Sequence, residues 1–431
     1  MRQIAVVGAG YVGLGTAAAL ATKGHRVVCV DSDPSRVDLV ARGRAPFFEE
    51  GFDRVLTKLR KRELLRASLE TAASVRNSDI VFLCVGTPSG ADGSMDLSQL
   101  RAACMQVAEG LRENRGQLLV VKSTVTPGTT ETVVVPTIEA SSGLQVGQFR
   151  LCVNPEFLRE GRVLQDSLRP SHIIVGEWDR ASGRTLVRLY APFGRPTFRT
   201  SIRVAETIKY AANAFLATKI SFANELANIC ARLRLDADQV LQGMALDSRI
   251  GPEFLIPGAG FGGSCLPKDL RALLKLADSV GYDAPLLRSV YFLNSRQPSE
   301  VLRLLEEEIP TLVGRRVALL GLAFKAGTDD VRESKALDLL AALRQKGAEV
   351  IGYDPRGSEN FRRVSKGIEI ARSAEDALRG ADACIIQASW PEFSRLGPKE
   401  FSVMASPIVI DARRTWPLAK IPKGIVYQRI G

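Results

Sequence analysis

Short apolar runs alternate with helical patterns over the first 200 residues. The run from Arg2 to Val7 precedes a glycine-rich turn, an alanine-rich segment from Leu14 to Lys23 and a second run from Arg26 to Val30. Strands that alternate with helices indicate an α/β fold with a doubly wound parallel sheet. Further strand-like runs lie at Ile80 to Val85, Gln117 to Lys122, Phe149 to Val153 and His172 to Val175.

The pattern changes near Ser201. Residues Ala205 to Leu233 contain neither Gly nor Pro and read as one long helix, followed by a helix-rich stretch to about Pro298. A stripe this broad and apolar predicts a spine between domains or the surface of a homodimer. Its members are Ile208, Ala211, Ala212, Phe215, Leu216, the stem of Lys219, Phe222, Leu226 and Ile229.

The opening pattern then returns. Arg316 to Gly321 resembles Gln3 to Gly8, and Glu349 to Asp354 resembles His25 to Asp31. A third pair, Ala383 to Gln387 and Asp79 to Leu83, follows in the same order. We predict a second α/β domain whose turn after Gly321 lacks the glycines that hold a pyrophosphate. The predicted domains are 1–200, 201–300 and 301–431.

A chain of 431 residues is too long for one compact core, so several domains are expected. No long uncharged apolar stretch is present, which predicts no membrane helix, and the opening strand leaves no room for a signal peptide. The seven cysteines have no paired spacing, which favours free thiols in the cytoplasm. Four of them, Cys29, Cys84, Cys152 and Cys384, lie in apolar runs and are expected to be buried.

The formal net charge is +11, but the Arg and Lys residues are dispersed along the chain. Attraction of phosphate-bearing ligands explains this charge better than nucleic-acid binding does. The two histidines, His25 and His172, stand apart from any acidic or Cys ligand pair, so no metal site is predicted.

The first turn, Gly8-Ala9-Gly10-Tyr11-Val12-Gly13, follows a strand and opens a helix. Gly8 allows the tight turn, Gly10 lets the backbone approach a pyrophosphate, and Gly13 allows close packing of helix and strand. Asp31 ends the second strand, where a carboxylate binds the adenosine ribose and repels a 2′-phosphate. The turn therefore predicts NAD, although Arg36 could accommodate the phosphate of NADP. An unliganded glycine turn is the alternative.

The segment from Gly262 to Asp269 places Cys265 between two glycines and a helix that Pro267 starts. A thiol at a helix N-terminus beside Lys268 should have a lowered pKa and be nucleophilic. Asp269 lies one turn further on and can face the same ligand. A glycine-rich connection with an incidental cysteine is the alternative.

Polar side chains also follow several strands or share a helix face. Lys209 and Asn213 are four residues apart in the long helix and could stabilise an oxyanion, or form a solvated pair. Thr87, Thr124 and the loop with Glu156 and Glu160 follow strands at the edge where such sheets bind ligands. Ordinary surface acids are the alternative for the two glutamates.

At these residues the chain resembles the UDP-glucose/GDP-mannose dehydrogenase family over nearly its whole length. The shared motifs occur in the family's order: GAGYVG, CVGTP, KSTVTPGTT, NPEFLREG, ETIKYAANAFLATKISFANE, DSRIG, FLIPGAGFGGSCLPKD and GLAFKAGTDDVRES. The resemblance implies two Rossmann-like, doubly wound parallel-sheet domains joined by a long central helix and a helical dimerisation region. It implies two successive NAD-dependent oxidations at C6 of a nucleotide sugar bound by the C-terminal domain.

The resemblance also implies residue roles. Cys265 would be the nucleophile, Lys209, Asn213 and Asp269 would support the reacting oxygen, and Thr124 and Glu156 would hold the hydrolytic water. Contacts to NAD would come from Gly8, Gly10, Tyr11, Val12, Gly13, Asp31, Arg36, Thr87, Thr124, Glu160, Lys268 and Arg332. Contacts to the nucleotide sugar would come from Phe157, Leu158, Arg159, Glu160, Lys209, Asn213, Phe254, Leu255, Ile256, Pro257, Gly258, Gly262 and Lys325. Arg249 would reach the site of a neighbouring subunit.

The implied substrate is UDP-glucose, because the form Pro155-Glu156-Phe157-Leu158-Arg159-Glu160-Gly161 is similar to that branch of the family. GDP-mannose is the alternative, since GGSCLPKD occurs in enzymes for that sugar too. Ile256 stands where some UDP-glucose relatives have a Lys, which removes one possible phosphate contact. Two more distant hypotheses are a two-electron hydroxyacid dehydrogenase, which leaves Cys265 idle, and a nucleotide-sensing protein without a nucleophile.

Overall fold

The computed structural model describes residues 1–90, 93–111 and 116–431 and divides into two compact units, Met1–Ala212 and Asn213–Gly431. Each unit contains one β-sheet and its helices, so the α/β class is confirmed. Within the described ranges, no helix is long and apolar enough to cross a membrane.

The first unit contains an eight-stranded sheet in the order β3-β2-β1-β4-β5-β6-β7-β8. Its strands are Gln3–Val7 (β1), Arg26–Val30 (β2), Leu65–Ser68 (β3), Ile80–Leu83 (β4), Leu118–Val121 (β5), Arg150–Val153 (β6), Ile173–Glu177 (β7) and Thr197–Ser201 (β8). Its helices are Tyr11–Thr22 (α1), Pro34–Ala41 (α2), Phe52–Lys61 (α3), Thr71–Arg76 (α4), Ser98–Ala108 (α5), Val135–Ser142 (α6), Val163–Leu168 (α7) and Arg180–Tyr190 (α8). A π-helical turn, Thr130–Val134, precedes α6.

One pair of strands departs from the predicted parallel sheet. β7 runs antiparallel to β6, with Val153 opposite Gly176, whereas β8 runs parallel to β7. If β7 were parallel to β6, the connection would have to cross back to the end of the sheet at which β6 starts. The connection after β6 contains only the six-residue α7, and the side chain of Val163 in that helix lies against Gly15 of α1. β7 therefore starts at the same end of the sheet at which β6 ends.

The long helix α9, Ile202–Arg232, includes residues of both units. It starts three residues before the predicted start at Ala205 and ends one residue before the predicted end at Leu233. The other helices of the second unit are Ala237–Ala245 (α10), Leu266–Ser279 (α11), Pro285–Glu308 (α12), Lys335–Gln345 (α13), Ser358–Val364 (α14), Ala374–Leu378 (α15) and Pro398–Phe401 (α16). The helical stretch predicted to end near Pro298 continues through it, because Val301, Leu302 and Leu305 bury the last turns of α12 in the core.

The second unit contains a six-stranded, all-parallel sheet in the order β11-β10-β9-β12-β13-β14. Its strands are Arg316–Leu320 (β9), Glu349–Tyr353 (β10), Glu369–Ile370 (β11), Ala383–Ile386 (β12), Ile408–Asp411 (β13) and Val426–Arg429 (β14). The predicted repeat is confirmed, since β9, β10 and β12 hold the sheet positions of β1, β2 and β4. Even the hydrogen bond after the first strand recurs, from Gly8 N to Val30 O at 2.7 Å and from Gly321 N to Tyr353 O at 2.8 Å.

Alternate residues of the central strands face two separate cores, as expected of a sheet covered on both faces. In β1, Ile4 and Val6 join one apolar cluster, whereas Ala5 and Val7 join another. The second sheet divides in the same way between two further clusters. These cores hold the carboxyl ends of the strands, and the turns that follow them, in place.

In the turn after β9, a side chain of the same unit accepts the hydrogen bonds of the backbone N–H groups. Asp354, which is buried, accepts hydrogen bonds at Oδ2 from the N–H groups of Leu322 and Ala323, at 2.8 and 2.9 Å, and from the Trp390 indole at 3.0 Å. Its other oxygen accepts from the N–H groups of Arg356 and Gly357. These internal bonds are a physical reason to expect no pyrophosphate at this turn.

Candidate active site

The turn between β1 and α1 has the shape that a pyrophosphate requires. Gly8 has a φ of +108°, and a Cβ on Gly13 would lie 1.8 Å from the carbonyl oxygen of Gly8. A Cβ on Gly10 would meet nothing within 4 Å. Gly10 is also the N-cap of α1 and supplies no side-chain cap, as suits a helix start that binds an anion. The residues present fit a dinucleotide.

Asp31 lies next to this turn. Its Oδ2 accepts the N–H of Ala9 at 2.7 Å, and its Oδ1 accepts the N–H of Asp33 at 3.0 Å. The Arg36 guanidinium lies 3.8 Å from Asp31 and 3.5 Å from Asp33. Because two carboxylates face this arginine, the site suits the free ribose hydroxyls of NAD better than a 2′-phosphate.

Two of the strand-end segments meet at the edge of the first sheet. The hydroxyl of Thr87, after β4, donates to the carbonyl oxygen of Thr124, after β5, at 2.7 Å. Thr124 is half-buried. The structure thus brings together two threonines that the sequence placed only at the same sheet edge.

Glu156 and Lys209 form a buried ion pair with Nζ 2.8 Å from Oε1, and their side chains are 6% and 4% exposed. The other carboxylate oxygen accepts the N–H of Leu158 at 2.6 Å, and the ammonium lies 5.4 Å from the centre of the Phe157 ring. Burial raises the pKa of Glu156, but Lys209, the Leu158 N–H and the charge of Lys122 together hold it below its ordinary value. Glu156 is therefore ionised at neutral pH.

Asn213 is also buried, so the alternative of a solvated Lys–Asn pair is wrong. Its side-chain amide donates to Asp269 Oδ2 at 2.6 Å. The other oxygen of Asp269 lies 2.5 Å from Lys268 Nζ, and the carboxylate is almost fully buried. The Asp269 N–H donates to the carbonyl oxygen of Cys265 at 2.9 Å, which ties the carboxylate to the cysteine segment.

Cys265 is the N-cap of α11, with Pro267 in the first turn as predicted. All seven cysteines lie in the described ranges as free thiols, and Cys265 is partly exposed whereas the other six are buried. Burial raises the pKa of Cys84 and Cys104 to about 12, which makes them poor nucleophiles. The Ser264 hydroxyl lies 3.6 Å from the sulfur of Cys265. Exposure at a helix N-terminus distinguishes this thiol from the others.

The glycine-rich chain before Cys265 packs tightly against the second unit's sheet turns. A Cβ on Gly262 would lie 2.2 Å from the carbonyl oxygen of Glu333, and one on Gly263 would lie 2.7 Å from the Phe324 ring. The Gly263 N–H donates to the carbonyl of Arg332 at 3.1 Å. Lys325, whose ammonium lies 5.5 Å from the centre of the Phe324 ring, is placed at the same turn.

The preceding residues differ in exposure. Phe254 adopts a left-handed φ of +66°, a conformation that costs energy for a residue with a Cβ. Leu255, Pro257 and Gly258 are buried, and the Gly258 N–H donates to Asn224 Oδ1 at 2.7 Å. Ile256, in contrast, is exposed.

The remaining predicted residues are held by local ion pairs or lie at the surface. Arg159 donates two hydrogen bonds to Asp166, at 2.9 and 2.8 Å, and Glu160 is half-buried. Arg332 pairs with Asp330 at 2.5 Å. Arg249 pairs with Asp247 in its own segment and its side chain is 87% exposed, so its reach to a neighbouring subunit stays a prediction.

The sequence did not predict the positions of half-buried Arg413 and buried Lys122. Arg413 donates to the carbonyl oxygens of Gly260 at 2.8 Å and Gln387 at 2.6 Å, and burial lowers its pKa to about 10. The sequence could have indicated Arg413, because it lies just after β13, at the carboxyl ends of the strands of a parallel sheet. For Lys122 the signal was a charge at the end of the wholly apolar strand β5.

The chain is similar to known proteins over most of its length. Models of the UDP-glucose/GDP-mannose dehydrogenase family match residues 2–194 (NAD binding domain), 203–296 (central domain) and 318–417 (UDP binding domain). The chain is 44% identical over 419 residues to UDP-glucose 6-dehydrogenase AglM of Haloferax volcanii, covering 96% of each chain. It is 38% identical over 403 residues to GDP-mannose 6-dehydrogenase of Pseudomonas syringae pv. tomato, covering 93% of this chain and 87% of that one.

The chain is also similar to a solved structure over nearly its whole length. The UDP-glucose dehydrogenase of the archaeon Pyrobaculum islandicum superposes with a TM-score of 0.92 at 36% identity, covering 99% of this chain and 97% of that chain.

Proposed function

The chain belongs to the UDP-glucose/GDP-mannose dehydrogenase family, and on that premise we propose that it oxidises the C6 alcohol of UDP-glucose to a carboxylate, giving UDP-glucuronate. At the level of the family it is an NAD-dependent nucleotide-sugar 6-dehydrogenase. The substrate, the residue roles and the oligomeric state below are parts of the proposal.

The Gly8–Gly13 turn and Asp31 would hold NAD⁺, and two molecules of NAD⁺ bound in turn would accept one hydride each. Around it, Tyr11, Val12, Arg36, Thr87, Thr124, Glu160, Lys268 and Arg332 are the proposed contacts. The open space at Gly10 and the uncapped start of α1 support this assignment.

In the first oxidation, C6 would give a hydride to the cofactor and its hydroxyl would give a proton to water, which leaves an aldehyde. Lys209 stabilises the negative charge that develops on the oxygen. The ammonium is already almost fully buried against Glu156, so its charge is poorly screened and its position needs little reorganisation. Asn213 and Asp269 are proposed to support the same oxygen and its water.

In the second oxidation, the Cys265 thiolate bonds to the aldehyde carbon, and the oxygen takes up a proton to form a thiohemiacetal. Loss of a second hydride from C6 to a second NAD⁺, and of the hydroxyl proton to water, would give a thioester. Water then adds to the thioester carbon, the carbon–sulfur bond breaks, and the thiolate leaves. Glu156, with Thr124 beside the water, accepts the proton that the water gives up.

The observation that carries this chemistry is the exposure of Cys265 alone among seven described free cysteines, at the start of α11. The test is a panel of nucleotide sugars with NAD⁺ and NADP⁺, counting reduced cofactor per sugar consumed. The thioester route requires two per sugar. One per sugar, as for a simple hydroxyacid dehydrogenase, or cofactor binding without reduction, would reject it.

Oxidation of GDP-mannose at C6 is the second candidate, because the chain is also 38% identical to a GDP-mannose 6-dehydrogenase. The higher identity to the UDP-glucose enzyme over a longer alignment favours UDP-glucose. Turnover of GDP-mannose with none of UDP-glucose would reverse this assignment. The proposed sugar-nucleotide contacts are Phe157 to Glu160, Lys209, Asn213, Phe254 to Gly258, Gly262 and Lys325.

We also propose a homodimer formed through α9. Phe215, Phe222 and Ile229 recur every seven residues, which places them along one side of the helix, and they are 64%, 49% and 49% exposed. Three large apolar side chains in one line are unusual on a surface that faces only water. A second copy of the chain can cover them symmetrically. Arg249 is proposed to reach the partner's site.

A further inference from the structure

Lys122 is a buried cation to which the proposed chemistry gives no role. It follows the apolar strand β5 and is 8% exposed. Its Nζ donates to Asn154 Oδ1 at 2.8 Å and lies 5.9 Å from the centre of the Tyr190 ring. A buried ammonium is costly unless neighbouring groups compensate its charge.

Asn154 connects this cation to the carboxylate of the site. Its Oδ1 also accepts the hydroxyl of Tyr190 at 2.7 Å, and its side-chain amide donates to the carbonyl of Ile174 in β7 at 2.8 Å. Lys122 therefore joins a network that fixes the carboxyl end of β6. Glu156 follows Asn154 by two residues, so its position depends on this network.

The charges around Lys122 also point to Glu156. Burial is the largest influence on its pKa and lowers it to about 8; Cys84 and Glu156 oppose that shift, and Lys209 adds to it. Tyr190 stays protonated because burial raises its pKa. Among these neighbours, Glu156 is the ionised carboxylate, and it is thus influenced by two lysines, Lys209 at 2.8 Å and Lys122.

We propose that Lys122 is a positioning residue: through Asn154 it fixes the strand end that carries Glu156, and its charge keeps Glu156 ionised while Lys209 turns to the substrate oxygen. This inference rests on the proposed function. Whenever Lys209 stabilises an oxyanion, its attraction for Glu156 weakens, and a buried carboxylate without a partner takes up a proton. A protonated Glu156 cannot accept a proton from water, so hydrolysis of the thioester is the step that needs Lys122.

The test is Lys122→Met, which shortens the unbranched side chain by one atom and removes its charge. We expect kcat to fall about tenfold or more, KM to change less than about threefold, and the acid limb of the kcat–pH profile to move upward. Because hydrolysis slows most, a thioester adduct should accumulate on Cys265 during turnover, visible as added mass on the intact protein.

Lys23→Met is the matched control. Lys23 lies 4.9 Å from the centre of the Phe193 ring, which neighbours Tyr190, but its side chain lies at the surface and donates to the carbonyl oxygen of Pro192. It should leave kcat, its pH profile and the mass spectrum unchanged. Tyr190→Phe keeps the charge of Lys122 and loosens only Asn154, so it should reduce kcat less and leave the pH profile in place.

An unchanged pH profile with no adduct in a folded Lys122→Met protein would overturn the inference. If Lys122→Met fails to fold, a shifted pH profile in Tyr190→Phe would overturn the assignment of the charge effect to Lys122. Failure of the proposed function is distinguishable, because the wild-type protein would then reduce no NAD⁺ with UDP-glucose, or only one per sugar, whatever the variants do.

Discussion

The ammonium of Lys209 lies 2.8 Å from the carboxylate of Glu156, and neither side chain has more than a few per cent of its surface in water. Breaking such a pair by removing one partner leaves a buried charge without compensation. Lys209→Met should therefore abolish measurable turnover and lower the free energy of unfolding at pH 7 by about 3–5 kcal/mol.

The pH dependence of the stability of Lys209→Met identifies the cause of its lower free energy of unfolding. In the wild type the folded-state pKa of Glu156 is below its unfolded value, so its contribution to stability is present above the unfolded pKa and is lost as pH falls through the folded pKa. In Lys209→Met the attraction of Lys209 is gone, and the Leu158 N–H and the charge of Lys122 still oppose burial, so the folded-state pKa of Glu156 is higher than in the wild type. The loss of stability relative to the wild type should therefore be smaller at pH 5 than at pH 8, because Glu156 takes up a proton more readily in the variant. Urea unfolding at pH 5 and pH 8 measures this.

Lys209→Met combined with Glu156→Gln is the control, since it removes both charges. Its stability should exceed that of Lys209→Met at pH 8 and depend less on pH. Equal losses in the single and double variants would show that packing, not the unpaired carboxylate, causes the instability.

Substitution of Gly10 and of Gly13 in the cofactor turn should impair the protein in different ways. Gly10→Ala adds a Cβ that meets no protein atom within 4 Å, so the protein should fold with nearly wild-type stability but bind NAD much more weakly. Gly13→Ala puts a Cβ 1.8 Å from the carbonyl oxygen of Gly8, so the turn itself must shift. We expect a loss of about 1–3 kcal/mol in that variant. Thermal unfolding and fluorescence titration with NAD separate the two effects, and a destabilised Gly10→Ala would contradict this account.

How much of this site the sequence could predict depends on the distance along the chain between its parts. The Gly8–Gly13 turn, Asp31 and the helix start at Cys265 are local patterns, and each lies in the predicted element. The repeat of the first strands in the second sheet was also predictable, because Gly321 and Asp354 directly follow their apolar runs as Gly8 and Asp31 do.

Contacts between distant segments were not predictable. Lys122 and Tyr190 meet at Asn154 across 32 and 36 residues, and Arg413 reaches Gly260 across 153. A single sequence carries no signal for such pairs, since they depend on how strands are ordered in the sheet. The antiparallel β7 escaped prediction for a related reason: apolar runs reveal a strand but not its direction.

Cys265 should be distinguishable from the other thiols before any kinetics are measured. Brief treatment of the native protein with iodoacetamide should label Cys265 first, because six of the seven free cysteines are buried. Cys265→Ser should lower kcat at least about hundredfold, since a hydroxyl is a far weaker nucleophile than a thiolate. Cys104→Ala, which removes a buried thiol of α5, should retain two reduced cofactors per sugar. Full turnover in Cys265→Ser would favour a two-electron dehydrogenase.

The seven-residue spacing of Phe215, Phe222 and Ile229 makes the oligomeric state testable with one charge. Phe222→Glu places a carboxylate in the middle of the exposed apolar line of α9. If a second copy covers this line, burying that carboxylate twice in a symmetric interface costs several kcal/mol. Light scattering should then show a wild-type dimer and a monomeric variant. Thr207→Glu, at an exposed position of the same helix, is the control and should remain dimeric. A wild-type monomer, or a dimer that persists in Phe222→Glu, would move the interface away from α9.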